Sequence, residues 1–202
     1  MTRTIAVVTA GLSQPSSSRL LADQLAGATD RALRLEGEEV RVEVVELRDL
    51  AHAVTDHLLT GFASRALAEA IELVRDADAL VAVTPVFSAS YSGLFKSFFD
   101  VLEEGSLDGK PVLLGATAGT ARHSLVLEFA LRPLFAYLRA DVVPTAVFAA
   151  SEDFGATGPG GGLSARVELA GRELADRVRG RTRTAVVDPF ENPTPFEQLL
   201  RG

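Results

Sequence analysis

Five short runs of β-branched and apolar residues, at 4–9, 40–46, 79–84, 111–116 and 141–148, alternate with longer stretches in which apolar residues recur at helical spacing. That alternation constrains the fold more than any other feature. Strand–helix–strand units join parallel strands by crossovers, and the sheet they build has to be covered on both faces. The helical stretches are 18–35, 62–75, 91–104, 123–138 and 163–179. Five such units predict an α/β fold with one doubly wound, five-stranded parallel sheet, order 2-1-3-4-5. Pro133 lies inside the fourth helical stretch and is expected to kink it, since an interior proline removes a hydrogen bond at a cost of about 3 kcal/mol.

At 202 residues the chain is long enough for one full core. Residues 1–180 are expected to form one domain, and 181–202, with three prolines and two phenylalanines, an arm lying on its surface. The segment SEDFGATGPGGG, 151–162, reads as a surface loop. No apolar run reaches the roughly 18 residues that span a membrane, and the first strand begins close to Met1, so a cytoplasmic protein with no membrane partner is expected. A net charge of -7 without a basic stripe excludes nucleic acid as a partner. With no cysteine there is no thiol nucleophile, disulfide or thiolate metal site, and redox chemistry would have to reside on a bound cofactor. His52, His57 and His123 fall in no zinc spacing, and no metal site is expected.

In an open α/β sheet ligands bind beyond the carboxyl ends of the strands, where the strand order reverses. For order 2-1-3-4-5 that point lies between the first and third strands, so TAGLSQPSSSRLL and TPVFSASYSG should be neighbours in space. The first offers the hydroxyls of Ser13, Ser16, Ser17 and Ser18, the guanidinium of Arg19 and the free N–H groups of a helix N-terminus, which together suit an anion. A plain helix cap with solvated neighbours is the other reading of those serines. No lysine completes a nucleotidase P-loop, so a phosphomonoester fits better than a triphosphate with magnesium.

The second loop places Pro85, Val86, Phe87 and Ser88 before Tyr91; the proline is expected to end the strand, and the aromatics to offer faces to a flat ring or to fill core. Lys96, a few residues into the following helix, reads as a surface residue. A third loop, ATAGTARHS, supplies Gly119 and Thr120 for close approach and hydrogen bonding, with His123 at a helix start. One rival motif remains. GGGLSA, 160–165, fits GxGxxA with Asp188 about 20 residues on, but a dinucleotide fingerprint needs its glycines directly after a strand. No paired-carboxylate or Ser-His-Asp constellation stands out, and no catalytic side chain is assigned.

With the three loops taken together, the chain resembles the NAD(P)H-dependent FMN reductases of the flavodoxin-like superfamily, above all those that serve luciferase-like or alkanesulfonate monooxygenases. The resemblance rests on GLSQPSSSRLLADQL, TPVFSASYSGLFKSFFDVL and TAGTARHSLVLEFALRPLFAYLRADVVPTAVFA. It implies FMN as cofactor and NADPH or NADH as hydride donor, with reduced FMN passed to a flavin-dependent monooxygenase. It also implies that Ser13, Ser16, Ser18 and Arg19 hold the FMN phosphate, that Pro85, Val86, Phe87 and Ser88 lie beside the isoalloxazine, and that Gly119 and Thr120 meet its far edge. Phe87 stands where relatives often carry tyrosine. Tyr91 and Gly93 match the start of a helix at a subunit interface, where similar reductases carry a tyrosine in a π-helical bulge.

A homodimer or homotetramer follows, and the apolar surplus of that helix, Phe95 included, points to the same interface. Three rival functions are a reductase of quinones, azo dyes or metal oxyanions with fixed flavin, a flavodoxin-type electron carrier, and a dehydrogenase using GGGLSA.

Overall fold

The computed structural model describes residues 2–154 and 162–180. Its elements in chain order are β1 (Thr2–Thr9), α1 (Ser17–Leu35), β2 (Glu39–Glu46), α2 (Leu47–Thr60), α3 (Arg65–Asp76), β3 (Ala79–Phe87), β4 (Ser90–Tyr91), α4 (Gly93–Asp100), β5 (Pro111–Ala118), α5 (Arg132–Tyr137), β6 (Asp141–Val142), β7 (Val147–Ala150) and α6 (Gly162–Gly180). The parallel order is β2-β1-β3-β5, continued by β6 and β7 on the outer edge of β5, which is the expected 2-1-3-4-5 order with its last strand interrupted.

Strand alternation divides the core into two layers. Ala6, Val8, Leu80, Ala82, Val112 and Leu114 pack with α2, α3, α4 and α5, including Leu67, Phe95, Phe98 and Phe135. Ile5, Val7, Val81, Val83 and Leu113 pack with α1 and α6 through Leu21, Leu25, Leu163 and Leu174. These two helices meet closely at Gly171, where a Cβ would sit 2.6 Å from that of Ala28. A larger residue there would push the helix pair apart.

Several expected boundaries are corrected. The strand expected at 141–148 is two short pieces, because Pro144 has no N–H to give to the ladder. The exposed backbone is satisfied by side chains: Arg132 donates to the carbonyls of Val143 and Pro144, and Glu173 accepts from Thr145 N at 2.7 Å. Helix α2 was not anticipated, although Leu47, Leu50, Ala51 and Val54 carry the helical period. It follows β2 without a break and without a side-chain cap, so no start signal marks it.

The helix expected from residue 62 begins at Arg65, after the Ser64 cap. The helix expected at 91–104 is α over Gly93–Asp100 alone, since Tyr91 belongs to a hairpin strand and Ser92 is the cap. The stretch 123–138 is broken as Pro133 predicts: a 3-10 turn at Ala121–His123, a π turn at Leu127–Leu131, and then α5. The widened turn closes by a bond from Arg132 N to Leu127 O, immediately before the residue that can donate none. The bulge therefore lies here and not in the helix after Tyr91, and its exposed aromatic is Phe129.

Of the segment 151–162, Ser151–Phe154 form a 3-10 turn. The expected arm at 181–202, Asp188, and the first glycines of GGGLSA lie outside the described residues.

Candidate functional site

The serine loop is shaped by one glycine and one cap. A Cβ on Gly11 would lie 1.9 Å from Ser16 Oγ, so a side chain there would displace the Ser16 hydroxyl. Ser16 is the N-cap of α1, and its Oγ accepts from Arg19 N at 3.2 Å. No acidic side chain occupies the first turn of α1. Ser18 is buried, with its Oγ 2.7 Å from Thr117 Oγ1 on β5. That bond ties the loop after β1 to the strand carrying the third loop. Ser13 and Ser17 are exposed.

Arg19 does not join them. Its Nε donates to Asp23 at 2.8 Å and its Nη1 to Glu46. The hydrogen bond Arg19 donates to Asp23, together with the charges of Asp23 and Glu46, holds the guanidinium above its ordinary range, against the opposing effect of burial.

The second loop corrects the expectation that Pro85 ends its strand. β3 runs on to Phe87, with Pro85 still paired to Thr117. Val83 O accepts from Ala10 N on the β1 side, and backbone groups of Pro85 point the same way, beyond the end of β1. The missing N–H thus falls where no ladder partner exists. β3 then turns back into β4, with Val86 opposite Tyr91 and Phe87 opposite Ser90. The two-residue turn has φ of 49° at Ser88 and 67° at Ala89, a conformation that costs a non-glycine residue about 1–2 kcal/mol.

The hairpin holds Phe87 with 46% of its surface exposed. Its base is anchored by Ser92 N donating to Thr84 Oγ1 at 3.0 Å, which donates in turn to Pro85 O. Tyr91 is half-buried and Gly93 exposed. Phe95 is fully buried, its ring centroid 4.7 Å from that of Phe99 and 6.2 Å from that of Phe135. It fills the protomer's own core and cannot face a partner.

The three loops meet in one cleft of about 320 Å³. Ser13, Ser16 and Ser18 line it from the first, Pro85, Val86 and Phe87 from the second, and Gly119 from the third. Ser88, Thr120 and Arg19 are not among its lining residues. Ser17, whose hydroxyl the sequence also offered, lines it too, and five residues not anticipated for the site complete it: Gly11, Leu12, Thr117, Ala118 and Ser151. Among the described residues that line it none is charged and none is a histidine, so these meet an anion with hydroxyls and N–H dipoles.

A larger hollow of about 400 Å³ lies where residues 105–108 precede β5, at the opposite end of the strands, with Glu103, Glu104 and Asp108 in its wall. Those carboxylates make it unfit for an anion. Among the described residues no cluster of three potential metal ligands occurs, and no helix is long and apolar enough to cross a membrane.

The family model described as NADPH-dependent FMN reductase matches residues 3–155. The chain is 34% identical over 182 residues to an FMN reductase (NADPH) of Pseudomonas aeruginosa, covering 88% of this chain and 94% of that one. It is 33% identical over 167 residues to the NADH-dependent FMN reductase SfnE of Pseudomonas putida, covering 82% and 87%. Among solved structures, an oxidoreductase from Corynebacterium diphtheriae superposes with a TM-score of 0.85 at 45% identity, over 90% of this chain and 99% of that one.

Proposed function

Because the chain belongs to the NADPH-dependent FMN reductase family, we propose that it transfers hydride from NADPH or NADH to FMN and releases the reduced flavin to a flavin-dependent monooxygenase. The observation that carries this reading is the uncharged three-loop cleft at the sheet's reversal point. The residues fit FMN. Gly11 lets the Ser16 side chain close against the loop, the Ser13, Ser16 and Ser17 hydroxyls and the α1 N-terminus supply donors for a phosphate, and Pro85, Val86 and Phe87 supply an apolar wall.

The flavin, when bound, supplies the redox chemistry, accepting hydride from a stacked nicotinamide. The chain's own residues position it. Ser18, fixed to Thr117, sets the distance between the phosphate loop and the ring side, and the hairpin fixes the Phe87 wall. With no histidine, carboxylate or lysine among the described residues that line the cleft, catalysis rests on placement and exclusion of water. A phosphate held without a counter-charge is bound less firmly than one in a salt bridge, which favours a flavin that exchanges over one retained permanently.

The same reading includes a homo-oligomer. Leu125, Phe129 and Tyr137 are 63%, 77% and 85% exposed on the segment beside α4, and burying them against a second copy would remove that apolar surface from water. Steady-state oxidation of NADH and NADPH with FMN, FAD and riboflavin as acceptors tests the activity. Turnover with FMN is expected, and no turnover with any acceptor would refute the reading. Light scattering tests the assembly, and a monomer at micromolar concentration would refute that part alone.

A further inference from the structure

We infer that Arg122 is the residue that engages a phosphate group of the nicotinamide dinucleotide, an inference that rests on the reductase reading above. Nearly every other arginine among the described residues is neutralised by a carboxylate: Arg3, Arg19, Arg31, Arg34, Arg41, Arg48, Arg65, Arg75, Arg132, Arg139, Arg166, Arg177 and Arg179 all form ion pairs. Only Arg122 and Arg172 have none within that set, and the two stand in different places. Arg172 lines a groove between α1 and α6. Arg122 sits on the 3-10 turn Ala121–His123, three residues beyond Gly119 of the cleft wall.

That turn is closed by Ser124 N donating to Ala121 O at 3.1 Å and packs against β7, whose following residue, Ser151, also lines the cleft. Arg122 is thus an exposed, unpaired cation held on the rim between two lining residues. It lies on the β5 side, two strand spacings or about 10 Å from the serine loop at the end of β1. The flavin phosphate has its donors at that loop. The dinucleotide brings further negative charge to a chain of net charge -7 and a cleft with no charged wall, and a local cation on the far rim offsets both. NADH presents a pyrophosphate, and NADPH the same group with a 2′-phosphate; a guanidinium binds either by charge-assisted hydrogen bonds.

The test is steady-state kinetics of Arg122→Gln and Arg122→Lys, with Arg172→Gln as a control that removes the same charge elsewhere. For Arg122→Gln the KM of the dinucleotide should rise about tenfold or more, with kcat and the KM for FMN unchanged within about twofold, and the defect should shrink as salt is raised. Arg122→Lys should recover part of the loss, and Arg172→Gln should match wild type. A rise for NADPH alone supports the inference with the 2′-phosphate as the group held; equal rises for NADPH and NADH support it with the pyrophosphate. Unchanged KM values for both nucleotides, a loss in kcat only, or an equal rise in Arg172→Gln would overturn it. Failure of the reductase reading is separate, since then the wild-type protein would oxidise neither nucleotide.

Discussion

From Gly11 to Ser18 no residue adopts a left-handed φ, and the loop is held by a cap, a cross-strand hydroxyl pair and a glycine that leaves room for them. Across the cleft, Ser88 and Ala89 both have positive φ, and the hairpin they close leaves Phe87 half out in solvent. One end of the site is therefore a set of fixed polar donors, and the other a strained backbone presenting an apolar face. The difference corresponds to the two ends of the proposed ligand. A phosphate needs hydrogen-bond geometry, which rigid loops supply, while a ring needs a wall and an opening through which a second ring can enter.

Removing the donors should give the largest effect and the most selective one. In Ser16→Ala/Ser17→Ala each lost bond to a charged group is worth about 1.5–3 kcal/mol, so FMN should bind more than about a hundredfold less tightly while riboflavin changes little. Equal losses for the two flavins, measured by fluorescence titration, would erase the distinction between the ends. The single change Ser16→Ala should also lower stability by about 1 kcal/mol, because it removes the α1 cap seen at 3.2 Å.

The opposite selectivity is expected at the hairpin. Phe87→Ala should weaken FMN and riboflavin alike, by roughly tenfold, since an aromatic contact adds about 0.5–1.5 kcal/mol beyond its area and the phosphate is untouched. A change confined to FMN would mean that the ring does not lie against Phe87. Smaller still is Ala89→Gly. Relief of the left-handed conformation, partly offset by the greater freedom of the unfolded chain, should raise stability by about 0.5–1 kcal/mol in a denaturant titration. A loss of stability would show that the turn carries no strain.

The two ends also differed in how far the sequence revealed them. That one of the serines could cap α1 was legible because capping is a local rule, though which one was not, and the meeting of the loops followed from strand order. Thr117 and Ser151 were not, because parallel register and the position of β7 bring them to the cleft and no local motif marks them. Arg19 was assigned to the phosphate by its place beside the serines, yet Asp23 stands four residues on, the spacing at which helical ion pairs form. Phe95, Phe98 and Phe99 read as surplus for a partner because a one-sided helix needs a single stripe; α4 is instead covered by the sheet, α2 and α5, so more of its circumference is buried within one chain. The hairpin was hidden because Ser-Ala is a poor type I′ turn, and only tertiary pairing forces it.

The smallest expected effect concerns His123, exposed on the same 3-10 turn as Arg122 and absent from the cleft wall. If both ends of the site act by placement alone, no protein group has to move a proton during hydride transfer. His123→Gln should then keep kcat within a few-fold of wild type and leave the pH profile between about 5.5 and 8 unshifted, since a histidine that titrates in the mechanism would change charge within that window. General acid–base participation contributes typically a hundredfold or more, far above what loss of one exposed side chain on a rim would produce. A hundredfold fall in kcat, with the KM for NADPH unchanged, would put a proton-transferring group at the third loop and end the claim that the two sides of the cleft suffice.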